Sequence, residues 1–138
     1  MDQLIDACRQ LKIKNTWYNN TIYDLYVHID ESNIEHVYTH DFIYNGAYIG
    51  ELIGEKKYCW EVEMSRYIIW VEDEYVVDCE MEPRCITSLI QEGFYEGKNG
   101  NCDMVVYMDR GITRVGIFAR RDIQPSEELI FIRTNDYY

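Results

Sequence analysis

The sequence is short of positive charge. It has 13 lysine and arginine residues against 25 aspartate and glutamate residues, a formal net charge of −12 over 138 residues. A surface of this sign repels nucleic-acid phosphates, so we expect no direct nucleic-acid partner. A basic or Lys-rich protein segment would instead be attracted. The same charge also fits a surface whose role is to keep the protein soluble.

Long apolar runs and paired cysteine motifs are missing as well. No stretch approaches the roughly 18 apolar residues of a membrane helix, so no membrane partner is expected. The five cysteines are odd in number and none has C-x-x-C spacing. The first residues, MDQLIDACRQLK, lack the features of a signal peptide. We therefore expect free thiols, no metal site, and an intracellular protein of the cytoplasm or nucleus that is not secreted.

Short segments in which apolar and polar residues alternate dominate the chain. Hydrophobic residues make up 47% of it, enough for one core. Residues 22–29 place Tyr23, Leu25 and Val27 on one face, as in a half-buried strand. Similar segments predict strands at 34–39, 46–53, 67–71, 74–79, 103–108, 112–118 and 129–133, with one or two helical turns within 81–92. The pattern predicts a mostly-β domain.

The N-terminus has a different pattern. Residues 2–12 follow Asp2, a plausible N-cap, and place apolar side chains on one stripe: Leu4, Ile5, Cys8 and Leu11. We predict a short N-terminal helix, joined by a polar connector to a domain over residues 22–138, so that residues 1–21 form a separate segment. The helix is expected to pack on the domain or to mediate a homodimer.

Two sequence segments, called phrases below, have the same order of residue types. HDFIYNGAYI (40–49) reads charged residue, Asp, apolar residue, short turn and strand, and RDIQPSEELI (121–130) repeats this order. Each is interpreted as a corner, where a strand leaves its sheet, passes through an Asp-containing turn and begins a new strand. Two such corners predict several small sheets around one core. Glu127 and Glu128 are interpreted as turn and salt-bridge residues.

Four phrases together resemble those of SET domains, in the same order and spacing. They are GAYIGELIGE (46–55), EYVVDCEMEPRCITS (74–88), GNCDMVVYM (100–108) and ARRDIQPSEELIF (119–131). The resemblance covers roughly residues 22–138. It implies a fold of several small β-sheets with a C-terminal pseudoknot. It also implies transfer of a methyl group from S-adenosylmethionine (SAM) to a protein lysine, with cofactor and lysine entering from opposite faces.

The positions that match the family's cofactor motifs carry other residue types. Ile34-Glu35-His36 stands at the G-x-G loop, where we expect Ile34 and His36 to crowd the cofactor. Arg84 matches the arginine of R-F-I-N-H-S. Thr87 and Ser88 then stand at the Asn and His positions, where they could form some hydrogen bonds but not the same ones.

The positions that match the catalytic tyrosines differ too. Arg133 stands at the place of the final tyrosine, and an arginine cannot be deprotonated and would repel a positive methyl donor. Phe131 keeps a ring but has no hydroxyl, and Leu52 replaces a further tyrosine. Tyr137 or Tyr138 could act as a substitute.

Other residues that could form a site are assigned ordinary roles. His28, His36 and His40 lack metal-ligand spacing and are interpreted as surface or core histidines. A set of four aromatic residues could form a peptide-binding face, but we expect strand-core packing of Tyr58, Trp60, Tyr67 and Trp70.

Three functions follow from this sequence. The first is a divergent SET-domain protein that binds a basic protein segment without transferring methyl groups. The second is an active SAM-dependent lysine methyltransferase, including one that acts on histones. The third is a structural or oligomerising β-protein. The composition, rich in Ile, Tyr, Asp and Asn, also fits a virus with an AT-rich genome.

Overall fold

The structure is a computed structural model and describes residues 16–93 and 100–133. Short 3-10 helices lie at Cys59–Glu61 and Ile86–Leu89. The strands are β1 Trp17–Tyr18, β2 Leu25–Ile29, β3 Glu35–Thr39, β4 Tyr48–Glu51, β5 Glu55–Tyr58, β6 Ile68–Glu72, β7 Tyr75–Asp78, β8 Arg84–Cys85, β9 Gln91–Glu92, β10 Cys102–Asp109, β11 Ile112–Ala119 and β12 Ile130–Arg133. The predicted helix over residues 2–12 lies outside the described residues.

These strands form four small sheets. Their strand orders are β1-β8, β2-β3, β5-β7-β6 and β4-β11-β10-β12-β9. Three of the sheets share one core, to which they contribute Val37, Ile69 and Ile117, each at most 5% exposed. A buried side chain of this size stabilises the fold by about 1.5–3 kcal/mol. The prediction of a mostly-β protein built from several small sheets is confirmed.

The longest hairpin, β10-β11, forms where the sequence predicts it. Asp109 pairs with Ile112, so the loop has two residues, Arg110 and Gly111, with φ angles of +52° and +81°. Two positive φ angles are typical of the type I′ turn, whose twist matches that of the flanking strands.

The two predicted corners contact each other in a nearly symmetric arrangement. Ile43 and Ile123 are fully buried, and each donates its backbone N–H to the other's carbonyl, at 2.9 and 2.8 Å. Ser126 N–H donates to the Thr39 carbonyl at 2.7 Å, and Gly46 N–H donates to the Ala119 carbonyl at 2.8 Å. Ile43 is therefore the structural counterpart of Ile123. It lies one residue after the position that is obtained by aligning the two phrases at their Asp residues.

The C-terminal strand β12 is enclosed by strands that precede it in the chain. It lies between β9 and β10 and runs parallel to both. Asn101, 2% exposed, donates from Nδ2 to the Glu128 carbonyl at 2.8 Å and accepts the Ile130 N–H at Oδ1 at 2.9 Å. This side chain joins the start of β10 to the entry of β12. This enclosure of the last strand by earlier ones agrees with the C-terminal pseudoknot that the resemblance implies.

Part of the predicted connector contacts the domain. Trp17 and Tyr18 pair in parallel with Arg84 and Cys85, and Trp17 packs against the core. Asn20 Nδ2 donates to the Glu51 carbonyl at 2.8 Å. The division of the chain at residue 21 stays a prediction. Within the described residues, no helix has the length and apolar character needed to cross a membrane.

Candidate functional site

A cleft of about 280 Å³ opens beside the N-terminal end of β3. It is lined by Glu35, residues 64–70, residues 88–92 and Phe131. Two of the motif positions singled out in the sequence meet here, the 34–36 stretch through Glu35 and the 84–88 stretch through Ser88. The cleft is open rather than filled by side chains.

Alternation along β3 places Glu35 in this cleft. Glu35, Val37 and Thr39 are buried, whereas His36 and Tyr38 lie on the other face and are only partly buried. A strand has a side-chain period of two, so the inward direction of Val37 makes Glu35 point inward as well. A carboxylate that is 8% exposed needs partners to offset its desolvation.

The partners of Glu35 come from the turn before β6. The Tyr67 hydroxyl donates to Glu35 Oε2 at 2.6 Å, and Arg66 Nη2 forms a close ion pair with Oε1. Arg66 Nη2 also donates to the Tyr67 hydroxyl at 2.9 Å. Burial, followed by the nearby Glu35 carboxylate, raises the pKa of Tyr67. The phenol therefore remains a neutral hydrogen-bond donor at physiological pH.

This arrangement provides two opposite charges at one cleft. Glu35 offers a carboxylate and Arg66 a guanidinium, whose side chain is 43% exposed. Gln91 Nε2 donates to the Glu35 carbonyl at 2.8 Å and holds β9 against β3. A carboxylate and a guanidinium can form charge-assisted hydrogen bonds with an ammonium group and a carboxylate group, respectively. Phe131 and Trp70 supply apolar surface beside it.

His36 lies on the opposite face of β3 from this cleft. Its Nε2 is 2.7 Å from Asp30 Oδ2 and its Nδ1 is 2.8 Å from Glu128 Oε2. This clamp joins the β2-β3 turn to the second corner, and it gives Glu128 the salt-bridge role that the sequence predicts. His36 does not line this cleft, since strand alternation directs its ring outward, and the expectation that it crowds a cofactor stays a prediction. Ile34 also lies outside the lining of the cleft.

We predict that the His36 clamp makes stability depend on pH. Hydrogen bonds to Asp30 and then Glu128 raise the pKa of His36, and the hydrogen bond to His36 lowers the pKa of Asp30. The contribution of His36 to the free energy of unfolding is therefore complete below its pKa in the unfolded chain, about 6.5. It is lost as the pH rises through the higher pKa that His36 has in the folded protein. Denaturant midpoints measured at increasing pH should fall over this window.

The matched variants are His36→Asn and His28→Asn. His28 pairs with His36 across the strands and contacts the Tyr38 ring edge-on at 6.5 Å. We expect His36→Asn to reduce the pH dependence above pH 6.5 and His28→Asn to preserve it. An unchanged slope in His36→Asn would show that the clamp does not titrate.

The side chains at the remaining cofactor-motif positions form hydrogen bonds or ion pairs within the protein. Thr87, 1% exposed, donates its hydroxyl to the Glu51 carbonyl at 2.7 Å. Ser88 lines the cleft, but its hydroxyl donates to the Cys85 carbonyl at 2.7 Å. Arg84 lies behind the site, with its guanidinium carbon 3.8 Å from the centre of the Tyr67 ring and Nη1 2.9 Å from Glu82.

The residues at the catalytic-tyrosine positions are divided among three places. Phe131 lines the cleft and Leu52 belongs to the core, each 5% exposed. Arg133 is the last residue of β12, and its backbone pairs with that of Met104. Tyr137 and Tyr138 lie outside the described residues, so their role stays a prediction.

The predicted aromatic set separates into two pairs. Tyr67 and Trp70 line the cleft. Tyr58 and Trp60 stack at 4.5 Å elsewhere. Trp60 is 65% exposed, Trp70 38% and Tyr58 36%, so the expectation of core packing is wrong for these three residues. Sequence reasoning assigned no role to Glu35, although an acidic residue at an inward position of an alternating strand is a recognisable signal.

The three histidines lie near one another on the β2-β3 hairpin. His28 and His36 are cross-strand partners, and the His40 ring stacks on Tyr26 at 4.1 Å. Within residues 16–93 and 100–133, no three histidine, cysteine or carboxylate side chains are arranged to hold a metal ion.

Solved structures share this arrangement of strands. KRYPTONITE, in complex with mCHG DNA and SAH, matches with a TM-score of 0.67 and 20% identity over 81% of this chain and 24% of that chain. The ATXR5 SET domain, in complex with histone H3, matches with a TM-score of 0.69 and 20% identity over 94% of this chain and 64% of that chain. The chain thus spans less than two thirds of either neighbour. No protein-family model and no curated protein sequence matches it. The protein has the fold of the SET domain.

Proposed function

We propose that the protein binds a SAM-type cofactor in the Glu35 cleft and a basic protein segment on its acidic surface, without transferring methyl groups. The observation that carries the proposal is the pairing of Glu35 with Arg66 at an open cleft, on a motif position that matches the family's cofactor loop. A further support is that KRYPTONITE, which shares the fold, was solved with SAH.

The residues of the cleft fit the amino-acid end of such a cofactor. Arg66 would bind the α-carboxylate through its planar guanidinium, and Glu35 would bind the α-ammonium group. Tyr67 holds the Glu35 carboxylate in place by its hydrogen bond of 2.6 Å. The bound cofactor would supply a methyl group on a sulfonium. The volume of about 280 Å³ lies just below the range typical of ligand pockets, about 300–1,000 Å³.

The proposed lack of methyl transfer rests on residue types at two positions. Phe131 has no hydroxyl to orient a lysine amine, and Arg133 adds a permanent positive charge where the family has a tyrosine. A positive side chain disfavours both the sulfonium and a protonated lysine.

Calorimetric titration with SAH tests cofactor binding. We expect saturable binding that Arg66→Met weakens roughly 10-fold, because a charged hydrogen bond to the α-carboxylate is lost. Tyr75→Phe is the matched control, since its hydroxyl donates to Tyr58 at 3.2 Å and neither residue lines the cleft, so its affinity should equal that of the unchanged protein. Failure to bind SAH, or equal affinity of Arg66→Met, would contradict the cofactor assignment.

Incubation with methyl-labelled SAM and Lys-rich peptides tests catalysis. We expect peptide binding that weakens with added salt, as screening of the net charge of −12 requires, and no incorporation of label. Incorporation would favour the alternative of an active lysine methyltransferase. The open cleft and the outward His36 ring are the observations that favour this alternative. In that case, the paired changes Tyr137→Phe and Tyr138→Phe should abolish turnover if a C-terminal tyrosine replaces Arg133.

A further inference from the structure

Four of the cysteines lie within the described residues, and all four are free thiols. Cys102 has the usual role of a buried thiol, which is apolar packing: it is fully buried, and burial raises its pKa to about 12. Cys79 and Cys85 are buried too, but their two thiols form a hydrogen bond with each other. The described part of the chain therefore holds a pair of thiols in direct contact.

The fold brings this pair together from separate segments. Cys79 follows β7 directly, and Cys85 is the last residue of β8. The Ile53 N–H donates to Cys85 Sγ at 3.4 Å. Two residues later, Glu55 pairs with Asp78, which precedes Cys79. The short segment between β4 and β5 therefore passes beside both cysteines and holds them next to each other.

The two thiols differ in how readily they ionise. The hydrogen bond from Cys79 lowers the pKa of Cys85, and the Thr87 hydroxyl, 3.3 Å from Cys85 Sγ, acts in the same direction. The same thiol–thiol bond, followed by burial, raises the pKa of Cys79. Cys85 is thus the sulfur with thiolate character, and Cys79 is the one that keeps its hydrogen. A thiolate beside a second thiol is the arrangement that reacts readily to a disulfide.

A second cleft, of about 630 Å³, leads to the pair. Its lining includes Cys79 and also Tyr18, which pairs with Cys85 across β1 and β8. Both cysteines are at most 3% exposed, so only a small molecule can reach them.

The charge at the rim of the second cleft selects the kind of oxidant. The rim carries four carboxylates: Glu55, Asp78, Glu80 and Glu82. Lys57, with Nζ 2.8 Å from Asp78, offsets one of these charges. The remaining negative charge repels anions. The oxidant that fits is therefore a small, uncharged peroxide.

We propose that Cys79 and Cys85 are a redox-active pair, which a peroxide converts into a disulfide. The Cys85 thiolate attacks one peroxide oxygen and the O–O bond breaks, which gives the Cys85 sulfenic acid and a hydroxide ion. The hydroxide takes the proton of the Cys79 thiol and becomes water. The resulting Cys79 thiolate attacks the Cys85 sulfur and displaces a second hydroxide, which takes a proton from solvent. The two sulfurs lose two electrons, and the peroxide is reduced to two waters.

The disulfide would join two segments that line the Glu35 cleft. The Cys79 N–H donates to the Tyr67 carbonyl at 3.0 Å, and the Ser88 hydroxyl donates to the Cys85 carbonyl at 2.7 Å. Tyr67 and Ser88 both line that cleft. Oxidation therefore restricts the relative movement of these two segments and links the shape of the cleft to the redox state of the protein.

Peptide mapping after treatment with hydrogen peroxide tests the pair in the unchanged protein. We expect a disulfide between Cys79 and Cys85, with the loss of two hydrogens, and recovery of both thiols on addition of dithiothreitol. Cys102 is the internal control because it is equally buried, and its thiol should be lost on the order of tenfold more slowly. Loss of Cys102 at the same rate, or a disulfide that joins Cys85 to Cys59 instead, overturns the proposal.

Two serine variants separate the roles of the sulfurs. Cys79→Ser should stop at the Cys85 sulfenic acid, which dimedone captures, because no second thiol is in contact with it. Cys85→Ser should leave Cys79 reduced over the same time, since its raised pKa keeps it a thiol. Capture of a sulfenic acid at Cys79 in Cys85→Ser would contradict the assignment of the attacking sulfur. The mapping of the unchanged protein does not depend on whether either variant folds.

Hydrogen exchange tests the link to the Glu35 cleft without any ligand. The Ile68 N–H donates to the Ser65 carbonyl and the Ile90 N–H to the Thr87 carbonyl. We expect these two amides to exchange on the order of tenfold more slowly in the oxidised protein, because a bridge restricts local opening. The amide of Val106, in the β10-β11 hairpin, is the control and should keep its rate. Equal protection of Ile68 and Ile90 in both redox states would contradict the link, whether or not the protein binds SAH.

Discussion

Replacing Asn101 with alanine should lower the free energy of unfolding by about 3–4 kcal/mol, one of the largest effects expected of a single polar change here. The side chain is 2% exposed and serves both as donor to the Glu128 carbonyl and as acceptor for the Ile130 N–H. Alanine can replace neither bond. Two backbone groups would remain without partners, each at a cost of about 1–3 kcal/mol.

Because of where these two hydrogen bonds lie, we expect the change at Asn101 to affect ligand binding as well as stability. They hold the residues that lead into β12, and Phe131 of β12 lines the Glu35 cleft. Loosening this strand should therefore also weaken ligand binding in the cleft. Asn101, which belongs to the phrase GNCDMVVYM, therefore has a structural role in this chain, because it holds the enclosed C-terminal strand in place.

Denaturant titration measures the stability change, and hydrogen exchange locates it. We expect the amides of Ile130 to Ile132 to lose protection in Asn101→Ala before those of β5 to β7. The exposed Asn45→Ala is the control and should change stability by less than about 0.5 kcal/mol. A loss below 1 kcal/mol in Asn101→Ala would mean that the two bonds do not hold the strand.

Replacing Gly54 with alanine should lower the free energy of unfolding by about 3 kcal/mol through overpacking. A Cβ atom at Gly54 would lie 2.4 Å from the Asp78 carbonyl oxygen and 2.9 Å from the Asp78 carbonyl carbon. These are backbone atoms in the β5-β7 pair, where Glu55 pairs with Asp78. The strands would have to separate, since no side chain can rotate out of the way.

Gly111→Ala provides a control with a different physical cause. Gly111 has a φ of +81° and no heavy atom within 4 Å of the added Cβ, so only backbone strain of about 1–2 kcal/mol is expected. Equilibrium unfolding should therefore rank Gly54→Ala as more destabilising than Gly111→Ala. The reverse order would show that β5 can move away from Asp78 at little cost.

The sheet elements could be predicted because their signals are local. Alternation over residues 22–29 and 34–39 indicated β2 and β3, and the predicted strands at 103–108 and 112–118 correspond to β10 and β11, since a strand's period of two involves only neighbouring residues. The ordered phrases likewise led to the SET fold, which comparison with solved structures supports.

The candidate site could not be read in the same way, because its members are distant in the sequence. Motif matching drew attention to His36 and Thr87, yet the structure turns His36 toward Asp30 and Glu128 and uses Thr87 inside the core. Glu35 and Arg66 meet across 31 positions of chain. Which face of β3 points inward depends on packing against β9 and the turn before β6, not on the residue types of β3 alone.

Local chemistry in the chain was enough to predict the longer strands and the order of the corners, but not the short strands β1, β5, β8 and β9. Pairing partners, the enclosure of β12 and the assembly of a carboxylate and a guanidinium at one cleft were settled by long-range packing. The physical reason is that backbone conformation depends on adjacent residues, whereas burial and charge pairing depend on whichever segments the fold brings into contact.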